Sequence, residues 1–155
     1  MKPSASDISA LILRIALGLI FIPHGFPKVF GADGPAAFAS DMPQYGIPSF
    51  LGYPAAFAEV FGAALLIVGL LTRLNAFLLA CVMIVAIVVI HGPEAMMAEG
   101  QGVMRLMAMV KEMELPLALW AIAVSLVLLG GRRFSLDRLF GVEDRLLRVL
   151  KRRRS

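Results

Sequence analysis

One cysteine, Cys81, stands in a chain of 155 residues. No intramolecular disulfide can form from it, and there is no CxxC pair. A membrane oxidoreductase that generates disulfides through its own thiols is therefore disfavoured. Charge is scarce as well: Asp, Glu, Lys and Arg make up 17% of the residues, against about 25% in a typical soluble domain. Histidine occurs twice, at positions 24 and 91, so any bis-imidazole site has to use both. Apolar residues take the space: 59% of the chain is hydrophobic and the mean hydropathy is +0.84. Such a chain lacks the polar surface of a soluble fold and reads as an integral membrane protein of one domain.

The net charge of +4 does not point to nucleic acid. Nine of the fifteen basic residues follow Gly131, where a basic tail after an apolar segment faces a membrane surface. The segment from Phe134 to Ser155 is expected to form an amphipathic helix on anionic lipid, with Leu136, Leu139, Phe140, Leu146, Leu147 and Leu150 on its apolar side. The chain thus divides into a membrane domain, 1–131, and a basic amphipathic tail, 132–155.

Apolar runs lie at Ile8 to Phe30, Pro54 to Leu71, Leu74 to Ile90 and Leu115 to Leu129. A helix needs about 20 residues to cross the hydrocarbon core, so the last three must borrow interfacial residues. A tight turn is expected at "LTRLN", between the second and third. The first run is long for a signal peptide, contains Arg14 and ends well before the "AFA" at 37–39, so it reads as a retained helix. The expected fold is all-α: a polytopic four-helix membrane bundle. Lys and Arg cluster on one side of it, which predicts both termini in the cytoplasm.

Between the first two runs, "GADGPAAFASDMPQYGIPSFLGY" reads as irregular, with room for one short helix. After the third, "HGPEAMMAEGQGVMRLMAMVKEMEL" holds six of the nine methionines. Thioethers bind copper, but no His or Cys stands among these methionines. The segment reads instead as an interfacial helix with Met as adaptable packing, and no metal site is expected.

Ionisable residues inside a bilayer are costly and mark function by default. They are Arg14, His24, Lys28, Glu59 and His91, with Glu114 at a helix end. Alternating helix directions put all of these except Arg14 toward the outer side. Arg14, Gly18, Phe21, Gly25 and Lys28 share one stripe of the first helix, with His24 beside it. Ala55, Glu59, Gly62, Leu66, Gly69 and Arg73 share one of the second. Small residues on both stripes permit close packing, so Glu59 is expected to face inward and meet His24, Lys28 or His91. Pro23 and Pro27 are expected to bend or end the first helix there. Arg14 either snorkels to the inner headgroups or turns inward as a structural group. Haem between His24 and His91 is disfavoured by Pro23 and by the lack of any other haem signal.

The motifs "LRIALGLIFIPHGFPKVFG", "AEVFGAALLIVGLLTRLNAFLLA", "HGP" and "MELPLALWAIAVSLVLLGGRRFSLDRL" together resemble the DoxX family of bacterial membrane proteins, over roughly Leu13 to Leu139. The resemblance implies a four-helix membrane bundle. It also implies links to oxidoreductase assemblies, among them a thiosulfate:quinone oxidoreductase subunit and a complex in oxidative-stress defence. The family pattern falls on Arg14, His24, Gly25, Lys28, Glu59, Arg73 and His91. Two functions follow as expectations. In the first, a subunit of a membrane oxidoreductase binds quinone in an outer pocket, with Glu59 and His24 in catalytic roles and Arg14, Lys28 and His91 holding the cofactor. In the second, the chain is a small-solute transporter or an assembly or scaffold factor without enzymatic activity. Both expect a protein partner or a homo-oligomer in the bilayer.

Overall fold

The computed structural model describes residues 2–97 and 101–142, and among these the regular structure is entirely helical. Four helical segments are long and apolar enough to cross a membrane: Ala5–Phe30, Ser49–Val68, Thr72–Met96 and Gly102–Leu129. One apolar core joins them. Leu17 and Phe21 of the first span meet Ala63 and Leu66 of the second, Ala76, Leu79 and Ala80 of the third, and Leu119, Ala123 and Leu126 of the fourth. Large apolar side chains such as Leu19, Phe77, Val88 and Leu128 stay exposed on the outside of this packing, as helices bounded by lipid require.

The first span is helix α1, Ala5–Phe30. It starts at Ser4, whose hydroxyl accepts from the Asp7 amide while the Asp7 carboxylate accepts from the Ser4 amide. Two of the amides left open by the first turn are satisfied in this way. Pro23 and Pro27 lie inside the helix, which continues to Phe30. The prolines therefore do not end the helix. Each ring removes one amide donor, but packing on the neighbouring span keeps the helix in register beyond it.

Between the first two spans the chain is more helical than its Gly and Pro content suggested. Helix α2, Gly34–Asp41, is followed by two 3-10 turns at Met42–Tyr45 and Ser49–Leu51. The second span then runs through α3, Gly52–Phe57, a π-helical turn at Ala58–Gly62, and α4, Ala63–Val68. It stops at Gly69, which takes a left-handed φ of 73°. The reversal therefore occupies 69–71, slightly ahead of the expected turn, and α5 begins at Thr72. The third span comprises α5, Thr72–Ala86, a second π turn at Ile87–His91, and α6, Gly92–Met96.

Helix α7, Gly102–Leu129, contradicts the expected separation of a Met-rich interfacial helix from the last span. Both belong to one 28-residue helix, about 42 Å long at 1.5 Å per residue. That exceeds a hydrocarbon core of about 30 Å. The surplus falls within its first half, where Met104, Met107, Arg105, Lys111 and Glu112 are exposed.

After α7, Ser135 caps a short helix α8, Leu136–Phe140, which ends at a left-handed Gly141. The rest of the expected amphipathic tail, from residue 143, lies outside the described residues.

Candidate functional site

Polar groups gather at the two ends of the helix packing, in different ways. At the terminal end, where α1 begins and α8 lies, Arg14 is completely buried and donates to the Phe134 carbonyl. Of the two expectations for Arg14, the inward one describes this geometry. Its guanidinium lies against Gly69, where an added Cβ would overlap it, so the left-handed glycine that stops the second span also makes room for the arginine. Asp137, 1% exposed, accepts from the amides of Leu71 and Thr72 at 2.6 and 2.8 Å. Its own amide donates to the Gly69 carbonyl. A carboxylate on the first amides of α5 also meets the positive end of the helix dipole. Arg73 donates to the Val127 carbonyl at 2.5 Å, and Asn75 to the Leu70 carbonyl at 2.9 Å.

Sequence reasoning assigned no role to Asp137 or Asn75. For Asp137 the signal lay in the closing "SLDR" of the family-like pattern, but its target, the 69–72 turn, is far away in sequence.

At the opposite, distal end, α1 and the second span bring two charges together. Gly25 sits directly over the π turn, and a Cβ there would come within 2.7 Å of Glu59 Cβ and 2.8 Å of Val60 Cγ2. Two turns lower, a Cβ on Gly18 would overlap Ile67. The helices close because both positions are bare. Three residues beyond Gly25, Lys28 then directs its ammonium at Glu59, with Nζ 2.7 Å from Oε1 and 2.6 Å from Oε2. The Glu59 side chain is 4% exposed and that of Lys28 29%. Phe38 of α2 covers the pair, its ring centroid 4.6 Å from Nζ. Helix α2 is held over the site where Gly52 packs against Ala39 with no room for a Cβ.

Of the three expected partners, Lys28 is the one in contact with Glu59. His24 is exposed, and its Nδ1 lies 2.8 Å from the Ile20 carbonyl one turn back. A carbonyl only accepts, so Nδ1 carries the proton and the Nε2 of the neutral ring is left as an acceptor. His91 closes the second π turn and lies beside Glu94, 3.4 Å from Nδ1 to Oε2. The candidate residues thus divide into a Lys28–Glu59 pair, an exposed His24, a His91 grouped with acidic side chains, and an Arg14 at the other end. Both π turns carry a candidate residue, and such turns recur at functional sites because they open the regular backbone ladder.

Next to the pair, Phe26, Phe30, Phe57 and Phe61 are exposed and touch in series. The ring centroids are 4.9 Å apart for Phe26–Phe30, 6.2 Å for Phe30–Phe61 and 5.8 Å for Phe57–Phe61. A buried charge pair bordered by an aromatic surface can hold a polar headgroup while its apolar part stays in lipid.

Four apolar helices of this length define a multi-pass membrane protein. The sequence pattern of the DoxX family matches residues 9–92, over half of the chain and a range that contains the five candidate residues, and the chain belongs to that family. It is 37% identical over 84 residues to a Bacillus subtilis (strain 168) protein named "Putative oxidoreductase CatD", covering 54% of this chain and 60% of that one. It is also 37% identical over 70 residues to "Inner membrane protein YphA" of Escherichia coli (strain K12), covering 45% and 49%. The matches therefore span about half the length of these relatives. No solved structure matches the chain.

Proposed function

We propose that this protein is a membrane subunit of an oxidoreductase assembly and that its Lys28–Glu59 site receives the headgroup of a lipid-soluble quinone. The carrying observation is a carboxylate 3% exposed, on a π turn, held by a lysine that keeps an opening to the surface. The residues fit such a ligand: Lys28 offers a charged donor for a quinone oxygen, Glu59 a proton-exchanging group, and the phenylalanine series an apolar ring surface. When bound, a quinone supplies the two-electron carrier, and a partner of the assembly supplies the electrons. Glu59 holds or releases the proton, Lys28 sets the charge it feels, and the Nε2 of His24 accepts a proton at the exposed edge. The oxidoreductase name of the Bacillus subtilis relative supports this reading.

A second reading has its own observation. Lys28 reaches both Glu59 oxygens, a self-satisfied arrangement that suits a structural clasp in a transporter or scaffold without enzymatic activity. Native mass spectrometry of the gently extracted complex separates the two, since bound quinone supports the first. Glu59→Gln separates them again. Loss of the complex's activity with normal membrane levels marks a proton-handling group, whereas reduced folding yield, with Glu59→Leu tolerated, marks a clasp.

The orientation belongs to the same proposal. With both termini cytoplasmic, as the basic bias requires, the Lys28–Glu59 end faces outward. An alkaline phosphatase fused after Ser155 is then inactive, and an active fusion reverses the orientation.

A further inference from the structure

A second cluster at the distal end is independent of the quinone reading. We propose that His91, Glu94 and Glu112 form a binding site for a divalent first-row transition-metal ion of the zinc type. The ligand atoms of the three side chains all lie within 4.8 Å of one another. They come from three different elements: His91 from the π turn that ends α5's run, Glu94 from α6, and Glu112 from α7.

Two further observations point to a ligand rather than to a solvated acidic face. First, His91 Nδ1 is turned away from solvent and has no hydrogen-bond partner, although the side chain as a whole is 33% exposed. Second, its distance to Glu94 Oε2 is 3.4 Å. That is long for a hydrogen bond, but it is the edge of a metal polyhedron. Zinc–nitrogen and zinc–oxygen bonds of about 2.1 Å place two tetrahedral ligands about 3.4 Å apart. The His91–Glu94 spacing therefore suits two ligands of one ion, with Glu112 within 4.8 Å of both.

Charge and donor type agree. A neutral imidazole and two carboxylates present a formal charge of about −2, which a dication balances. An imidazole nitrogen selects zinc and its neighbours in the first row over magnesium or calcium, which take oxygen alone. Arg105, the cation closest in sequence to the connection, donates to the Met96 carbonyl at 2.9 Å. Three protein ligands leave a coordination position for water or a substrate oxygen. An ion here also ties the end of the third span to the fourth across residues 97–101. The methionines themselves offer no His or Cys to complete a metal site. The ligands instead flank them, a histidine and a glutamate three residues apart and a second glutamate in the following helix.

The test uses tag-free full-length protein in detergent, titrated with Zn2+ by calorimetry and with Co2+ by absorption. The expected result is one saturable equivalent per chain and a visible cobalt band of a nitrogen- and oxygen-ligated site. His91→Ala, Glu94→Gln and Glu112→Gln should each weaken binding by at least about tenfold, since loss of a mere supporting contact already costs 10–100-fold. Glu94 and Glu112 are exposed, so their variants should fold and elute as the parent does. Glu114→Gln, also exposed, should bind as the parent. Absence of saturable zinc binding overturns the site, as does binding that survives both Glu94→Gln and Glu112→Gln. Equal binding of Mg2+ and Zn2+ overturns the assignment of the ion.

Discussion

The two ends of this molecule use charge differently. At the terminal end, charged side chains reach main-chain groups of distant segments: Arg14 the Phe134 carbonyl, Arg73 the Val127 carbonyl, and Asp137 two amides of the 71–72 turn. At the distal end they meet each other, Lys28 with Glu59 and His91 with Glu94. A charge fixed to main-chain groups serves the fold, because its partner cannot titrate or leave. A charge held by another side chain can exchange protons or admit a ligand. The π turns at 58–62 and 87–91 lie at that second end. This contrast supports reading the terminal end as a clamp on the chain and the distal end as the proposed place of chemistry.

Cutting the distal pair gives the largest expected effect. Glu59→Ala leaves the Lys28 ammonium without its carboxylate beneath Phe38 and should cost about 3 kcal/mol, the lower part of the range for breaking a buried pair. Thermal unfolding in detergent reads this loss. Pairing the change with Lys28→Met should recover most of it, because no uncompensated charge then remains. Recovery of stability without recovery of quinone binding sharpens the contrast between the ends. A double variant as unstable as Glu59→Ala breaks it.

Next comes the clamp. Asp137→Ala strips the acceptor from two amides at the start of α5 and should cost about 2 kcal/mol. Quinone retention by the protein that folds should be unchanged, because the distal end keeps all its groups. A loss of quinone with stability intact would place function at the wrong end.

Much of this contrast was legible in the sequence. The four spans follow from apolar run length, and the stripe from Arg14 to Lys28 and that of Glu59 follow from helical spacing. Arg14, Gly18, Phe21, Gly25, Glu59, Gly62, Leu66 and Gly69 are all buried. Three features were not legible, each for a physical reason. Pro23 and Pro27 signal a helix end where water competes for freed carbonyls; here both are exposed on the outside of the packing while Phe21 and Gly25 hold the other face, and α1 runs on. The methionines read as a separate helix because charges interrupt the apolar run, although charges do not stop a helix that extends past the lipid. Asp137 and the His91, Glu94 and Glu112 group depend on contacts across separate elements, and no local period encodes those.

Between the ends lies the close approach of the first two spans. A methyl at Gly18 would stand 2.3 Å from Ile67 Cγ1 and 3.0 Å from the Ala63 carbonyl. The isoleucine can shift, but the carbonyl cannot, so Gly18→Ala should destabilise by about 1.5 kcal/mol. Because the same approach carries Lys28 to Glu59, the quinone affinity proposed for that site should fall with it. Stability lost at constant affinity would show that the two ends are set independently.

The smallest effect tests whether the terminal end is only a clamp. Ser4→Ala removes the hydroxyl that accepts from the Asp7 amide and one partner of the Asp7 carboxylate, which keeps the Ser4 amide as donor. Loss of such a cap costs about 1 kcal/mol. The helix it opens is anchored nearby by Ala10 and Arg14, both completely buried, so fraying should stop within the first turn. Hydrogen exchange should show faster exchange at Asp7 and Ile8, with unchanged protection from Arg14 onward. If protection were lost as far as Gly25, α1 would be held from its N-terminus rather than by its packing, and the distal site would depend on the cap.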